Sequence, residues 1–254
     1  MNRRTIYYDE EPSHGVNFRR VRILVVLGCV LLALIYVVVY SQSLSLLPIR
    51  QVQVVGQGTN LKQSEVQGLV TPLLKGNFFT VDLPVIHAAV AKHGWVEEVT
   101  VQRIWPDTLR ILVRERQAIG RWHTGGLLSD KGKVFHVKSA DEFSTLPLFS
   151  GPTAYAPFIA KYYSQMKTTL APLGLAVQQV RVSPRRAWTL QWVNGVELNL
   201  GRGHVVQRAQ RLAQVYRTVL EPYESNIRMI DLRYSNGFAV KWKSNVLKPI
   251  AFGG

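Results

Sequence analysis

Residues 23–40 read ILVVLGCVLLALIYVVVY, eighteen positions without a charge. At about 1.5 Å per residue a helix of that length reaches roughly 27 Å, close to the thickness of a bilayer's hydrocarbon core. Tyr36 and Tyr40 fall where an interfacial aromatic belt would place them. The run is therefore read as one transmembrane helix and not as a buried core helix. Arg3, Arg4, Arg19, Arg20 and Arg22 precede it, and the next charge after it is Arg50. The positive-inside rule then leaves residues 1–22 in the cytoplasm and exports the remainder. Ser41-Gln42-Ser43 has the small-x-small form of a signal-peptidase site, but the apolar stretch is longer than a signal h-region. Val26-Leu27-Gly28-Cys29 has the form of a lipoprotein box, yet the apolar run continues past the cysteine. An uncleaved anchor is the expectation.

Composition sets the rest of the frame. Apolar residues make up 47% and charged residues 19% of the 254, which fits neither a disordered chain nor a multi-span membrane protein. Beyond Gln42 the chain holds 26 basic and 13 acidic residues, a net charge of +13. Such a surface suits an anionic partner. Export separates it from chromosomal DNA, so no nucleic-acid partner is expected. Cys29 is the single cysteine and lies within the apolar run. No disulfide can staple the exported part, and its stability must come from a packed core.

After a linker at 41–48, residues 49–55 alternate as a strand and end at Gly56. A helix is expected over 65–74 with Ser64 as its cap, and a second over 84–93 with Asp82 as its cap. Strands follow at 96–104 and 109–115, joined by Trp105-Pro106-Asp107. The order is β-α-α-β-β across 49–117. Residues 118–243 read differently. Short strands are expected at 121–123, 127–129, 134–137 and 146–149, then a helix over 159–170. Strands at 176–182, 187–193 and 196–200 precede an amphipathic helix over 205–220, with Arg208, Arg211 and Arg217 on its solvated side. Strands at 229–234 and 238–243 close the domain, and 244–254 is a tail. The class is α+β.

The last hairpin invites a register argument. A three-residue loop, Ser235-Asn236-Gly237, would pair Tyr234 with Phe238, Leu232 with Val240 and Ile230 with Trp242, and set Asp231 near Lys241. A two-residue loop mixes apolar and charged faces, so the three-residue register is expected. Either way aromatics line a strand that could form a sheet edge, where an unpaired backbone invites a partner.

No catalytic constellation emerges. The sequence holds no G-x-S-x-G elbow, P-loop or H-E-x-x-H. His87 and His93 are six apart, off a common helix face, and His123, His136 and His204 stand alone. Gly201-Arg202-Gly203 reads as a turn entering a helix. Arg185-Arg186-Ala187-Trp188 is either a basic-aromatic patch or a turn before a core tryptophan. Trp95 and Trp105 read as packing residues beside the strands. No metal, cofactor or catalytic residue is assigned.

Several stretches together resemble one family. Ile49, Val52, Val54 and Gly56, then Gly76-Asn77-Phe78-Phe79 with Val81-Asp82, then Gly94-Trp95-Val96 through Arg103, Trp105-Pro106-Asp107-Thr108-Leu109 and Glu115-Arg116 are similar to the POTRA domain of the FtsQ/DivIB cell-division family. Leu146-Pro147-Leu148-Phe149 with Gly151-Pro152, Leu198-Asn199-Leu200-Gly201-Arg202, and Asp231-Leu232-Arg233-Tyr234 with Gly237, Ala239-Val240 and Trp242 resemble that family's β domain. The closing segment looks closest to the proteobacterial members. The resemblance implies a non-enzymatic divisome scaffold in the bacterial inner membrane, with its bulk in the periplasm and its place at the division septum. Implied partners are the bitopic coiled-coil proteins FtsB and FtsL, and components of septal peptidoglycan synthesis. The family's partner adds a strand to the last strand of the β domain, which carries over to Arg185, Arg233, Tyr234, Gly237, Phe238 and Trp242. Phe238 stands where the family pattern suggests a small residue. A membrane-anchored wall enzyme would need the catalytic groups not found. An outer-membrane assembly or secretion component would show repeated POTRA units or many barrel strands.

Overall fold

The computed structural model describes residues 18–43, 48–137 and 140–243. The first seventeen residues, residues 44–47 of the expected linker, and the expected tail at 244–254 lie outside them. Helix α1 (Phe18–Ser43) contains the apolar run, whose best eighteen-residue window within Arg19–Tyr40 has a mean hydropathy of 3.0 and no buried residue. Among the described residues it is the one helix long and apolar enough to cross a membrane. Tyr36 and Tyr40, one turn apart, stack at 5.4 Å.

The first folded unit runs β1 (Gln51–Gln57), α2 (Gln63–Val70), α3 (Leu83–Ala91), β2 (Val96–Ile104) and β3 (Thr108–Glu115). Its sheet has the order β1-β3-β2, with β1 parallel and β2 antiparallel to β3. Valine and isoleucine at alternate strand positions meet one stripe of each helix, so Val66, Val70, Ile86, Val90, Leu109, Ile111 and Val113 form its core. The α3 cap is as expected: Asp82 accepts from the Val85 N–H at 3.1 Å. The α2 cap is not. The helix begins after Lys62 without a side-chain cap, so Ser64 lies inside its first turn. Pro72 then tightens the chain at Thr71–Leu73 into a 3-10 turn, ending α2 earlier than expected.

The second unit carries β4 (Ala118–Trp122), β5 (Leu127–Ser129), β6 (Val134–Phe135), β7 (Leu148–Ser150), α4 (Ala156–Leu170), β8 (Val177–Val182), β9 (Trp188–Trp192), β10 (Glu197–Gly201), α5 (Val205–Val215), β11 (Ile227–Asp231) and β12 (Ala239–Trp242). The sheet order is β12-β11-β10-β9-β8-β7-β4-β5-β6. Two of its parallel pairs, β7–β8 and β10–β11, enclose α4 and α5 as their crossovers. Both helices bury their apolar stripes in one core with Trp188, Leu190, Trp192, Leu198 and Ile230 of the sheet. The helix expected to continue to 220 changes to a π-helical segment at Tyr216–Leu220.

A small third cluster joins the units. Trp95 packs on Phe135 and Phe143, with ring centroids 5.3 Å away in each case. The Arg116 guanidinium lies 5.0 Å over Phe135 and donates to the Gly94 and Val96 carbonyls. Gly94 has no room for a Cβ, which would run into the His136 carbonyl oxygen. Lys131 reaches across to Glu97 at 2.6 Å and, as the main cause, holds that carboxyl below its usual range.

Candidate partner-binding edge

Strand β12 is the last of the nine, and among the described residues only its β11 side is paired. Phe238, Val240 and Trp242 pack against the main core, while Ala239, Lys241 and Lys243 are exposed. Trp242 meets Tyr223 edge-to-face at 6.1 Å. The Lys243 N–H donates to the Asn226 carbonyl at 2.9 Å. Strand alternation therefore turns the backbone groups of Val240 and Trp242 outward, away from β11.

The expected tight hairpin is not what forms. Asp231 pairs with Ala239, Ile230 with Val240 and Met229 with Lys241. Leu232, Tyr234 and Phe238 consequently lie in a seven-residue connection, and Trp242 stands opposite Ile227 across a bulge. The cause is competition for the backbone. The Leu232 N–H donates to Asn199 of β10 at 2.9 Å, and the Leu232 side chain is fully buried. Asp231 accepts from the Arg233 N–H at 3.1 Å, which bends the chain out of the ladder.

Helix α5 completes the arrangement with side chains that periodicity placed in solvent. Arg208 donates to the carbonyls of Leu200, Arg202 and Arg233. Arg211 donates to those of Leu232, Tyr234 and Ser235. Arg217 likewise donates to the Pro172 carbonyl. The connection is thus held by two arginines from a crossover helix, a long-range contact that no local pattern encodes. The available signal was position: Arg208 sits one residue before buried Ala209 and one turn before buried Leu212, beside the apolar stripe.

The residues singled out by the family resemblance fall into two groups. Arg233, Tyr234, Gly237 and Phe238 lie in the connection, with Trp242 at the end of β12. Tyr234, Gly237 and Phe238 help line a shallow depression of about 380 Å³. Tyr234 is 57% exposed. Arg233 grips Asp231 with bonds of 2.6 to 3.0 Å, and this holds the Asp231 carboxyl below the ordinary carboxylate range. The Arg233 alkyl chain also packs against Gly201, where a Cβ would come within 2.8 Å of it and φ is +65°.

Arg185 lies elsewhere, in a turn closed by the Arg186 N–H on the Ser183 carbonyl at 2.8 Å. It shares a cavity of about 560 Å³ with Tyr155, Tyr162, Arg186 and Arg202. Arg186 stands 5.2 Å over the Tyr155 ring, and Trp188 beneath is buried. The turn and the basic-aromatic patch are therefore both present. Arg208 ties this region to the edge, since it holds both Arg202 and Arg233. Trp105, in contrast, does not pack beside its strand and is 75% exposed. Among the described residues no three His, Cys, Asp or Glu side chains gather as a metal site.

Comparison with known proteins agrees with this architecture. A family model described as POTRA domain, FtsQ-type, matches residues 47–116, and one described as Cell division protein FtsQ/DivIB, C-terminal, matches 120–233. The protein named Cell division protein FtsQ from Allochromatium vinosum is 37% identical over 203 residues, 79% of this chain and 80% of its own length. Those of the same name from Acinetobacter oleivorans and Burkholderia pseudomallei are each 32% identical, covering 81% and 76% of this chain and 72% and 79% of their own lengths. A one-span chain with a POTRA unit and a β domain, matched along both units, belongs to the FtsQ/DivIB family of cell-division proteins.

Proposed function

We propose that this protein is a non-catalytic scaffold of the division machinery that receives a β-strand from a bitopic coiled-coil partner on the outer edge of β12. In this reading α1 anchors it in the inner membrane and both folded units stand in the periplasm, where it links early and late division proteins and bears on septal peptidoglycan synthesis. The partner is the FtsB–FtsL pair. The observation that carries the reading is the outer edge of β12, unpaired among the described residues, with the backbone of Val240 and Trp242 turned outward. A strand added there gains main-chain hydrogen bonds, while side chains beside it supply specificity. Phe238 and Trp242 support the edge from the core side, and exposed Tyr234 offers an aromatic anchor at its end. Lys241 and Lys243 discourage pairing between two copies by like charge and leave the edge open to an acidic partner. Arg185 adds a cation in the neighbouring cavity.

The test is photocrosslinking of the full chain in dividing cells, from a photoreactive residue at exposed Lys241. A crosslink to a small bitopic coiled-coil protein, lost on Trp242→Ala or Tyr234→Ala, is the expected result. Crosslinks confined to the chain itself would remove the edge from consideration.

A further inference from the structure

We propose that the β2–β3 tip of the POTRA unit is a membrane-interface foot, in which Trp105 and Phe79 enter the headgroup region of the bilayer that α1 spans. The inference rests on the reading of α1 as a membrane anchor. Trp105 is 75% exposed and Phe79 64%, the two most exposed Phe, Trp or Tyr side chains outside α1 among the described residues. Two contacts place them at one end of the sheet. The Arg103 guanidinium, two residues before Trp105, donates to the Phe79 carbonyl at 3.3 Å and the Val81 carbonyl at 2.7 Å. On the other side of the turn, the Asp107 carbonyl accepts from the N–H groups of Arg50 and Gln51 at 3.0 and 3.4 Å. The tip is therefore fixed beside the point where the chain enters the POTRA unit.

That point is close to the bilayer. Helix α1 ends at Ser43, so no more than about 25 Å of extended chain separates it from Arg50. An indole at a bilayer surface buries its ring among the upper acyl carbons and leaves its N–H in the headgroup layer. Exposed Arg50, beside the turn, supplies a cation for lipid phosphates. The acids nearby are already engaged: Asp107 accepts from the Thr108 hydroxyl at 3.1 Å, and Asp82 caps α3. A bilayer is favoured over a protein partner because the anchor of the same chain delivers this tip to a lipid surface.

The experiment uses the full chain reconstituted into vesicles of phosphatidylethanolamine and phosphatidylglycerol, with part of the lipid brominated near the top of the acyl chains. Tryptophan fluorescence should be quenched by the brominated lipid, and Trp105→Ala should lose most of that quenching while unfolding at the same temperature. Equal quenching of the wild type and Trp105→Ala would overturn the foot. Vesicle flotation separates the two readings: a chain that does not float with the lipid refutes the anchor and the foot together. A chain that floats, with no Trp105-dependent quenching, refutes the foot alone.

Discussion

The antiparallel pairs β2–β3 and β11–β12 look alike in sequence: two alternating strands around a short turn. In the first, Ile104 pairs with Thr108 and Arg103 with Leu109, so the three residues of the turn set a register that runs unbroken to Glu98 and Arg114, where a bulge shifts it. In the second the turn residues set nothing. Pairing stops at Asp231 and Ala239, and the carbonyls of Leu232, Arg233, Tyr234 and Ser235 are taken by arginines of α5. Local turn chemistry decides a register only where no distant side chain competes for the backbone. Both hairpins include an edge strand, β2 of the small sheet and β12 of the large one, but only the second has its connection held from behind by distant arginines.

The most damaging way to break that contrast is to remove the pivot. Leu232→Ala deletes a fully buried side chain and should destabilise the β domain by about 2–5 kcal/mol, read by urea denaturation. Leu109→Ala, equally buried in β3, should have a cost of the same order but confine it to the POTRA unit. A loss below about 1 kcal/mol for Leu232→Ala would mean the connection does not depend on its burial.

Arg211→Ala comes next. It strips donors from three carbonyls, of which only the Leu232 one is partly buried, so about 1–3 kcal/mol is expected. Hydrogen exchange is the sharper readout: amides of β12 should lose protection while those of β2 and β3 keep theirs. Unchanged exchange at β12 would assign the register to the strands themselves.

These effects mark what could be read in advance. The apolar run, the β-α-α-β-β order and the α3 cap at Asp82 depend on contacts within a few residues, and pattern reading placed them well. Strand β2 was expected at the limits it has. The second register failed because its causes, Asn199 on β10 and Arg211 on α5, lie roughly twenty to thirty residues away. The same distance hid the role of Arg208, whose helical position reads as solvent-facing until the fold brings three carbonyls to it. Trp105 was misread for the opposite reason, since aromatic character alone suggests packing and nothing in the turn shows which way the ring points.

Acid should loosen both hairpins with the same sign. Arg233 lowers the pKa of Asp231, and Lys131 lowers that of Glu97 on β2. A depressed carboxyl contributes its stability fully above the ordinary carboxylate range and loses it as pH falls through the depressed value. Both contacts are thus intact at neutral pH and released as the pH falls below the ordinary carboxylate range. Asp231→Asn should abolish the acid response of the 232–238 amides in an NMR titration and leave that of β2 in place. If the wild-type amides of the connection do not move with pH, Asp231 does not hold the bend.

The smallest effect on folding is expected at the two tips, and there the contrast is sharpest. Trp105 ends one hairpin at 75% exposure, and Tyr234 lies in the other connection at 57%. Truncating either to alanine should change unfolding free energy by no more than about 0.5 kcal/mol, because neither ring fills the core. Their consequences should then part company. Tyr234→Ala should weaken capture of the proposed coiled-coil partner and leave lipid quenching unchanged, while Trp105→Ala should do the reverse. An aromatic that a fold does not need for its stability is free to meet something else, and these two sit at opposite kinds of boundary. If both variants weakened partner capture equally, the POTRA tip would belong to the protein interface, and the division of labour between the two hairpins would be wrong.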